Sequence, residues 1–264
     1  MMKRVFIELI ALLAIGGLLW AAFAFFVKLP ERPTLISQEK EQALGENYTN
    51  FILTLNGFEK VEHPVLDEVF SLTAQKLKDV QDETVYSYNI TIVDNEMVNA
   101  FALPGGYIIV TTGLINFCET SEELISVICH EIGHIEKRHV ITRLIKDVGL
   151  EILTSGDTFV TGEIARGLIS SGYNRKQEEE ADFFACELML KSGLEPRSIA
   201  SFFRRLKDEE NELIGQFEII SSHPNLNNRI KTVLSFEVPE GFVQQEPWVN
   251  IEELKSILSD DPLI

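Results

Sequence analysis

Cysteine is scarce in this sequence and is not arranged for a disulfide framework. Three cysteines occur in 264 residues, at Cys118, Cys129 and Cys186, and no two have the C-x-x-C spacing. A disulfide scaffold or a cysteine-based zinc site needs an even or closely spaced set, so the pattern excludes both. A single bridge between Cys118 and Cys186 stays compatible with the sequence.

Positive charge is also in short supply. Lysine and arginine total 23 against 41 acidic residues, which gives a net charge of -18 at pH 7. Proteins that bind phosphate backbones concentrate basic side chains on one surface. We therefore expect no nucleic-acid partner. Internal repeats and low-complexity tracts are absent, and 264 residues suffice for one substantial core.

Long hydrophobic runs are rare too, and only one is present, from Val5 to Val27. A run of about 20 residues can cross the hydrocarbon core as a helix, and the preceding Lys3 and Arg4 favour a cytoplasmic start. We predict a transmembrane anchor over residues 1–28 and a body on the exported, periplasmic or extracytoplasmic side of the cell membrane. The lack of a second run excludes a multi-span protein.

A cleaved signal peptide is the alternative for this segment. Ala22-Phe23-Ala24 resembles a signal cleavage site, and cleavage there would give a secreted periplasmic protein. The anchor is favoured because the apolar run continues past that site. No cysteine lies near its end, which excludes a lipoprotein anchor.

The rest of the chain predicts an α+β domain that is mostly helical. We expect a proline-marked linker at 29–40, one main folded domain at 41–237 and a short tail at 238–264 with a helix near Ile251 to Leu258. Strand patterns run from Tyr86 to Val93 and on both sides of Pro104-Gly105-Gly106, a hairpin turn signal. They predict one small antiparallel sheet.

A metal-binding motif lies within a predicted helix. Thr120 and Glu123 have the spacing of a capping box, and His130-Glu131-Ile132-Gly133-His134 follows them. Residues four apart share a helix face, so both imidazoles can reach one zinc ion. Glu131 lies about 100° around the helix, where it can act as general base towards a zinc-bound water that attacks a peptide carbonyl.

The identity of the third ligand distinguishes one class of zinc site from another. Metzincins place glycine and histidine three and six residues beyond the second motif histidine, but Lys137 and Val140 occupy those positions here. A thermolysin-type (gluzincin-like) site takes a glutamate instead. Glu178 opens another predicted helix, with Asp182 on the same face to hold a ligand histidine. Glu179 and Glu180 are interpreted as solvated residues of a helix N-terminus.

Four ordered stretches resemble the M48 family of metallopeptidases, in particular its BepA-like and Oma1-like branch. They are Asn99 to Gly106, His130 to His139, Glu178 to Asp182, and Ser222-His223-Pro224 with Arg229-Ile230. The resemblance implies one Zn²⁺ per chain, held by His130, His134 and Glu178, and polypeptide substrates. It further implies that Asn99, Ala100, Phe101 and Ala102 form a sheet edge that binds an extended substrate.

The same resemblance gives His223 two candidate roles. It would either stabilise the oxyanion or occupy the open position of zinc and hold the enzyme inactive, with a structural histidine as the third possibility. Arg229 would orient the site, whereas Arg138 and His139 are expected to pair with acidic neighbours.

The predicted function is zinc-dependent proteolysis of extended or misfolded proteins in the cell envelope, in protein quality control. One alternative is a zinc-stabilised chaperone or binding module with little turnover. Another is a membrane-tethered interaction protein in which the motifs are accidental.

Overall fold

The computed structural model describes residues 36–55, 57–149, 162, 164, 167–169, 172–209, 219 and 222–260. The predicted anchor at 1–28 and most of the predicted linker lie outside these residues. Within the described part, no helix combines the length and the apolar character needed to cross a bilayer.

Helices dominate the described residues. They are α1 (Gln38–Ile52), α2 (Pro64–Asp79), α3 (Thr112–Phe117), α4 (Ser121–Glu136), α5 (His139–Val148), α6 (Arg175–Lys191), α7 (Ile199–Glu209), α8 (Leu226–Leu234) and α9 (Ile251–Asp260). The helix expected near Ile251 to Leu258 is present as α9. The predicted α+β class is confirmed.

The strands within the described part form a four-stranded sheet in the order β1-β2-β4-β3. Their bounds are β1 (Glu59–Lys60), β2 (Asn89–Asp94), β3 (Ala100–Ala102) and β4 (Tyr107–Thr111). The β3–β4 hairpin is antiparallel, as predicted, with Phe101 opposite Ile109. The strand predicted to start at Tyr86 starts at Asn89.

The prediction of a wholly antiparallel sheet is wrong, because β2 and β4 are parallel. After β2 the chain crosses to the far edge and forms β3, and the turn at Pro104–Gly106 then returns β4 between them. Strand periodicity tells which face a side chain occupies, but it does not identify the neighbouring strand.

Helix α4 is the central element of the core. Of its first fifteen residues, 121–135, all except Glu122 are buried. The Thr120 side chain accepts from the Glu123 N–H at 3.2 Å, which confirms half of the predicted capping box. The Glu123 carboxylate instead accepts from the N–H of Glu119. A helix buried on all sides is typical of a core element.

Helix α6 packs closely against α4 at Gly133. A Cβ at this position would lie 3.1 Å from both the Cα and the carbonyl oxygen of Ala181. The close approach brings the motif face of α4 against the acidic face of α6. A capping box between Asn174 and Gln177 fixes where α6 begins.

The C-terminal segment docks on the same core. The Trp248 indole N–H donates to Thr73 Oγ1 at 3.0 Å, and the Ile251 N–H donates to Ser121 Oγ at 3.2 Å. All three cysteines are buried free thiols, so the Cys118–Cys186 bridge that the sequence left open is not formed.

Candidate metal centre

Helix α4 presents the two motif histidines to one point. His130 and His134 lie one turn apart, are at most 2% exposed, and have their Nε2 atoms 3.0 Å apart. Burial and then Arg229 lower the pKa of His130 to about 4. Burial, followed by the neighbouring rings, also lowers the pKa of His134 well below its usual value. Both imidazoles are therefore neutral at pH 7 and can offer lone pairs.

Helix α6 supplies a carboxylate to the same point. The Glu178 oxygens lie 3.6 Å from His130 Nε2 and 3.6 Å from His134 Nε2. Burial alone would raise the pKa of Glu178, but His223 and Arg229 outweigh it and lower this pKa to about 2. The structure thus brings together the three residues that the sequence predicts as metal ligands.

His223 completes a cluster of four buried groups. Its Nδ1 lies 3.0 Å from Glu178 Oε1 and 3.2 Å from His130 Nε2. Among the described residues, these four side chains are the group whose ligand atoms all lie within 4.8 Å of one another. His223 therefore stands where a fourth ligand would stand.

The spacing of these atoms fits a tetrahedral zinc ion. Zinc–ligand bonds of about 2.0–2.1 Å imply edges of about 3.3–3.4 Å between neighbouring ligand atoms. Five of the six edges run from 3.0 to 3.6 Å, and all four ligand atoms lie within 4.8 Å of one another. Two imidazoles with one carboxylate are also a donor set typical of catalytic zinc.

The charge of the cluster favours a dication as well. Glu131, Glu178 and Asp182 are buried carboxyl groups, and Arg229 is the guanidinium that contacts two of them. With Glu178 and Asp182 ionised and Arg229 positive, one negative charge remains, and Glu131 adds a second when it ionises. Buried charge is costly unless it is paired, and one divalent cation neutralises this excess.

Asp182 and Arg229 support His130 from behind. His130 Nδ1 lies 3.0 Å from Asp182 Oδ1, and Arg229 makes a two-pronged contact with the same carboxylate at 2.6 and 3.0 Å. Arg229 Nη2 also lies 3.1 Å from His130 Nδ1. Nδ1 cannot donate to Asp182 and accept from Arg229 at once. We assign the donated proton to Asp182, because a carboxylate can only accept.

Glu131 lies beside the cluster and offers one free oxygen. Its Oε2 accepts from the N–H of Ala102 in β3 at 2.8 Å. Its Oε1 is buried without a hydrogen-bond partner among the described residues, and His223 Nε2 is 3.5 Å away. Burial raises the pKa of Glu131 to about 7, the range suited to a general base.

The predicted substrate-binding segment is at a sheet edge, but that edge is covered. Ala100 is 0% and Ala102 is 1% exposed, and α4 packs against β3. Neither end of the Asn99 side-chain amide has a hydrogen-bond partner in the described part of the chain.

Comparison with known proteins decides the family. The profile of peptidase family M48 matches residues 62–237, about two thirds of the chain. The chain belongs to peptidase family M48. The match contains β2 to β4 and every residue of the cluster described above.

Three named proteins are similar to this chain. Mitochondrial metalloendopeptidase OMA1 of Arabidopsis thaliana is 31% identical over 159 residues, covering 58% of this chain and 32% of that protein. The beta-barrel assembly-enhancing protease of Escherichia coli K12 is 24% identical over 253 residues, covering 86% and 51%. Mitochondrial metalloendopeptidase OMA1 of Schizosaccharomyces pombe is 23% identical over 267 residues, covering 94% and 78%. The M48 chain thus spans about half or less of the length of the first two.

Sequence reasoning missed Tyr173, which covers one face of a motif histidine. Its ring is stacked on His134, with centroids 3.7 Å apart and an interplanar angle of 17°. The Arg143 guanidinium lies 4.3 Å from the centroid of the tyrosine ring. Tyr173 stands just before the cap of α6, and no spacing rule links such a residue to a motif on another helix.

His139 and Glu180 were also assigned no part in the site. His139 Nδ1 lies 3.0 Å from His134 Nδ1, and its Nε2 lies 3.0 Å from Glu180 Oε2. Arg138 pairs with the buried Glu41 of α1. The expectation that Arg138 and His139 pair with acidic neighbours is confirmed. The Glu180 side chain is 40% exposed, in keeping with a solvated helix N-terminus, but it also contacts His139 and Lys176, which the sequence did not predict.

Proposed function

We propose that this M48 chain is a zinc-dependent endopeptidase that binds Zn²⁺ through His130, His134 and Glu178. The observation that carries the proposal is the buried cluster whose ligand atoms lie at the edge lengths of a zinc tetrahedron. Zinc supplies Lewis acidity, which lowers the pKa of water and polarises a peptide carbonyl. The fold supplies a dry and prearranged setting for that chemistry.

Glu131 is the general base in this proposal. Its Oε2 is tethered by the Ala102 N–H, so Oε1 remains to take a proton from the attacking water. The protonated carboxyl can then pass that proton to the amine leaving group. Asp182 and Arg229 act by holding His130 and Glu178 in place.

The test of this function is the variant Glu131→Gln. We expect it to keep one zinc per chain, because position 131 supplies no ligand atom, and to lose casein cleavage. Zinc is counted by metal analysis of the purified chain. Cleavage that persists in Glu131→Gln would refute the assigned mechanism, and Glu179→Gln, an exposed position on α6, serves as the control.

For His223 we retain both active roles and propose an experiment that separates them. The imidazole already stands in the fourth ligand position, which favours a latent state in which substrate must displace it. If His223 only blocks the site, His223→Ala raises casein cleavage. If it stabilises the oxyanion, the same change lowers kcat by about 10²–10³ and leaves zinc bound.

We propose that substrate binds as an added strand on β3. In the antiparallel ladder with β4, the backbone groups of Ala100 and Ala102 point to the free side. The burial of this edge means that binding requires an opening movement. Ala100→Pro removes one outward N–H without touching the Ala102–Glu131 contact, so KM should rise, whereas unchanged KM excludes strand addition there.

We further propose that the substrates are extended or misfolded proteins of the cell envelope, and that the activity serves protein quality control. Two observations support this setting: the apolar run at Val5–Val27 and the similarity to the beta-barrel assembly-enhancing protease. Substrate trapping with Glu131→Gln in native membranes tests it. Trapped chains drawn only from the cytosol would contradict it.

A zinc-stabilised binding or chaperone module is the second candidate. One observation favours it, since four protein groups converge on the metal position and closed four-ligand sites are typical of structural zinc. In such a module no variant cleaves casein, including His223→Ala, whereas zinc removal lowers stability. Any zinc-dependent cleavage by His223→Ala or by the wild type excludes this candidate.

A further inference from the structure

The outer nitrogen of His134 does not face a carboxylate. The two motif histidines differ here, because His130 Nδ1 meets Asp182 at 3.0 Å, whereas His134 Nδ1 meets a second imidazole, that of His139, at 3.0 Å. His139 is 4% exposed, and its other nitrogen meets Glu180. A ligand histidine needs a partner on its far nitrogen to fix its orientation.

A left-handed turn brings His139 to this position. Had α4 continued, five residues would place His139 about 140° around the helix from His134. The helix ends at Glu136 instead, and Arg138 adopts φ 56° and ψ 28°. This left-handed conformation is unfavourable for a non-glycine residue. The ion pair of Arg138 with the buried Glu41 holds it there.

The hydrogen-bond roles along this chain follow from its carboxylate end. Glu180 can only accept, so His139 Nε2 carries the proton. A neutral His139 then has its lone pair on Nδ1 and accepts from His134 Nδ1–H. His134 is left with its lone pair on Nε2, the atom that points into the cluster.

We propose that His139, backed by Glu180, is a positioning residue that fixes the tautomer and ring orientation of His134 for metal binding. The inference rests on the proposed zinc site. Glu180 is 40% exposed at the side chain, so it acts as the solvent-facing end of the series, and His139 is the buried link.

The experiment measures Zn²⁺ affinity of the full chain by competition with a chromophoric chelator. His139→Leu keeps the volume and removes both hydrogen bonds, and we expect zinc to bind about 10–100-fold more weakly, as for other lost partners of ligand histidines. His139→Asn places an amide oxygen near the former Nδ1 and should restore most of the affinity. The visible spectrum of Co²⁺ in the site should change in His139→Leu and return in His139→Asn.

Glu180→Ala gives a second variant that does not depend on the folding of a core substitution. Because Glu180 acts through His139, we expect a smaller loss, about three- to tenfold. Glu179→Ala is the matched control, because Glu179 is the exposed neighbour of Glu180 on α6. This change should leave the zinc affinity unchanged. Circular dichroism of the metal-free chains verifies that each variant is folded.

The possible results distinguish the role proposed for His139 from the proposed zinc site on which it rests. If the wild type binds no zinc, or if His134→Ala binds it as well as the wild type does, the proposed metal site is wrong and the role of His139 falls with it. If His134→Ala abolishes binding while His139→Leu and Glu180→Ala bind like the wild type, the metal site stands and only the positioning role is overturned. Weak binding by His139→Asn as well would equally reject the hydrogen-bond explanation.

Discussion

The two motif histidines, one turn apart on the same helix, are supported in opposite ways. His130 is backed by charge, with Asp182 and Arg229 in a buried ion pair behind it. His134 is backed by rings, with Tyr173 stacked on its face and His139 at its outer nitrogen. The charged side depends on α8, which is distant in sequence, whereas His139 follows His134 by only five residues.

This difference teaches that the two histidines of the proposed metal site are held by two different kinds of interaction. A buried carboxylate without its cation is strongly destabilising, so defects on the His130 side should affect folding as well as zinc binding. Ring stacking and a neutral hydrogen bond contribute less, so defects on the His134 side should affect zinc affinity more than folding. The following predictions test this contrast, starting with the largest effect.

Arg229→Ala should produce the greatest loss. The guanidinium contacts both Glu178 and Asp182, and its removal leaves buried carboxylates without a cation. We expect the free energy of unfolding of the metal-free chain to fall by about 3–5 kcal/mol, measured by urea denaturation in the presence of a chelator.

Zinc should recover part of this loss, because a dication neutralises the same carboxylates. Arg204→Ala, at an exposed position on α7, is the control and should unfold as the wild type does. If Arg229→Ala were as stable as that control, the charge network would not support the His130 side.

Asp182→Asn should come next. The amide oxygen can still accept from His130 Nδ1–H, but the charge that pairs with Arg229 is gone. We expect zinc affinity to fall about 10–100-fold, measured by chelator competition. Glu187→Gln, on the exposed face of the same helix, should bind zinc normally, and equal affinities of the two variants would contradict the role of Asp182.

Tyr173→Leu should have a smaller effect on the other side of the site. It removes a stacked ring whose pairing is worth about 0.5–1.5 kcal/mol, which corresponds to a loss of up to about tenfold in zinc affinity. Tyr173→Phe keeps the ring and should bind zinc as the wild type does. Equal losses in the Phe and Leu variants would show that the hydroxyl matters rather than the stack with His134.

Gly133→Ala should have the smallest effect, and it should act on the His130 side and the His134 side of the site alike. A methyl group there meets the backbone of Ala181 at 3.1 Å, but alanine also favours a helix by about 1 kcal/mol relative to glycine. These opposing effects should leave stability near that of the wild type. Zinc affinity should drop by about two- to fivefold, since the α4–α6 spacing sets the distance from the histidines to Glu178. An unchanged affinity would mean that the helix spacing is not critical.

The sequence predicted the parts of this site that obey helical periodicity. His130, His134, Glu178 and Asp182 recur at four-residue spacing on two helices, so local geometry alone places each pair on one face. A site with two histidines needs a third ligand, so the sequence predicted that the histidine face of α4 meets the acidic face of α6. The structure brings these two faces together. His223 and Arg229 were reached only through the resemblance to the M48 family.

The remaining parts depend on features that periodicity does not encode. The prediction for the β3–β4 hairpin was right because its turn signal is local, but the parallel partner of β4 depends on a crossover. His139 reaches His134 through a left-handed residue, Arg138, whose conformation is held by Glu41 from a helix almost a hundred positions earlier. Tyr173 comes from a segment with no regular structure.

The place of Arg229 in the sequence has a consequence for biosynthesis. A nascent chain emerges from the ribosome N-terminus first, so both motif histidines and Glu178 leave it well before the guanidinium that neutralises Glu178 and Asp182. Until residue 229 is available, the face of α6 that meets α4 carries uncompensated acid. The carboxylates of Glu178 and Asp182 therefore gain their compensating guanidinium only after residue 229 has left the ribosome.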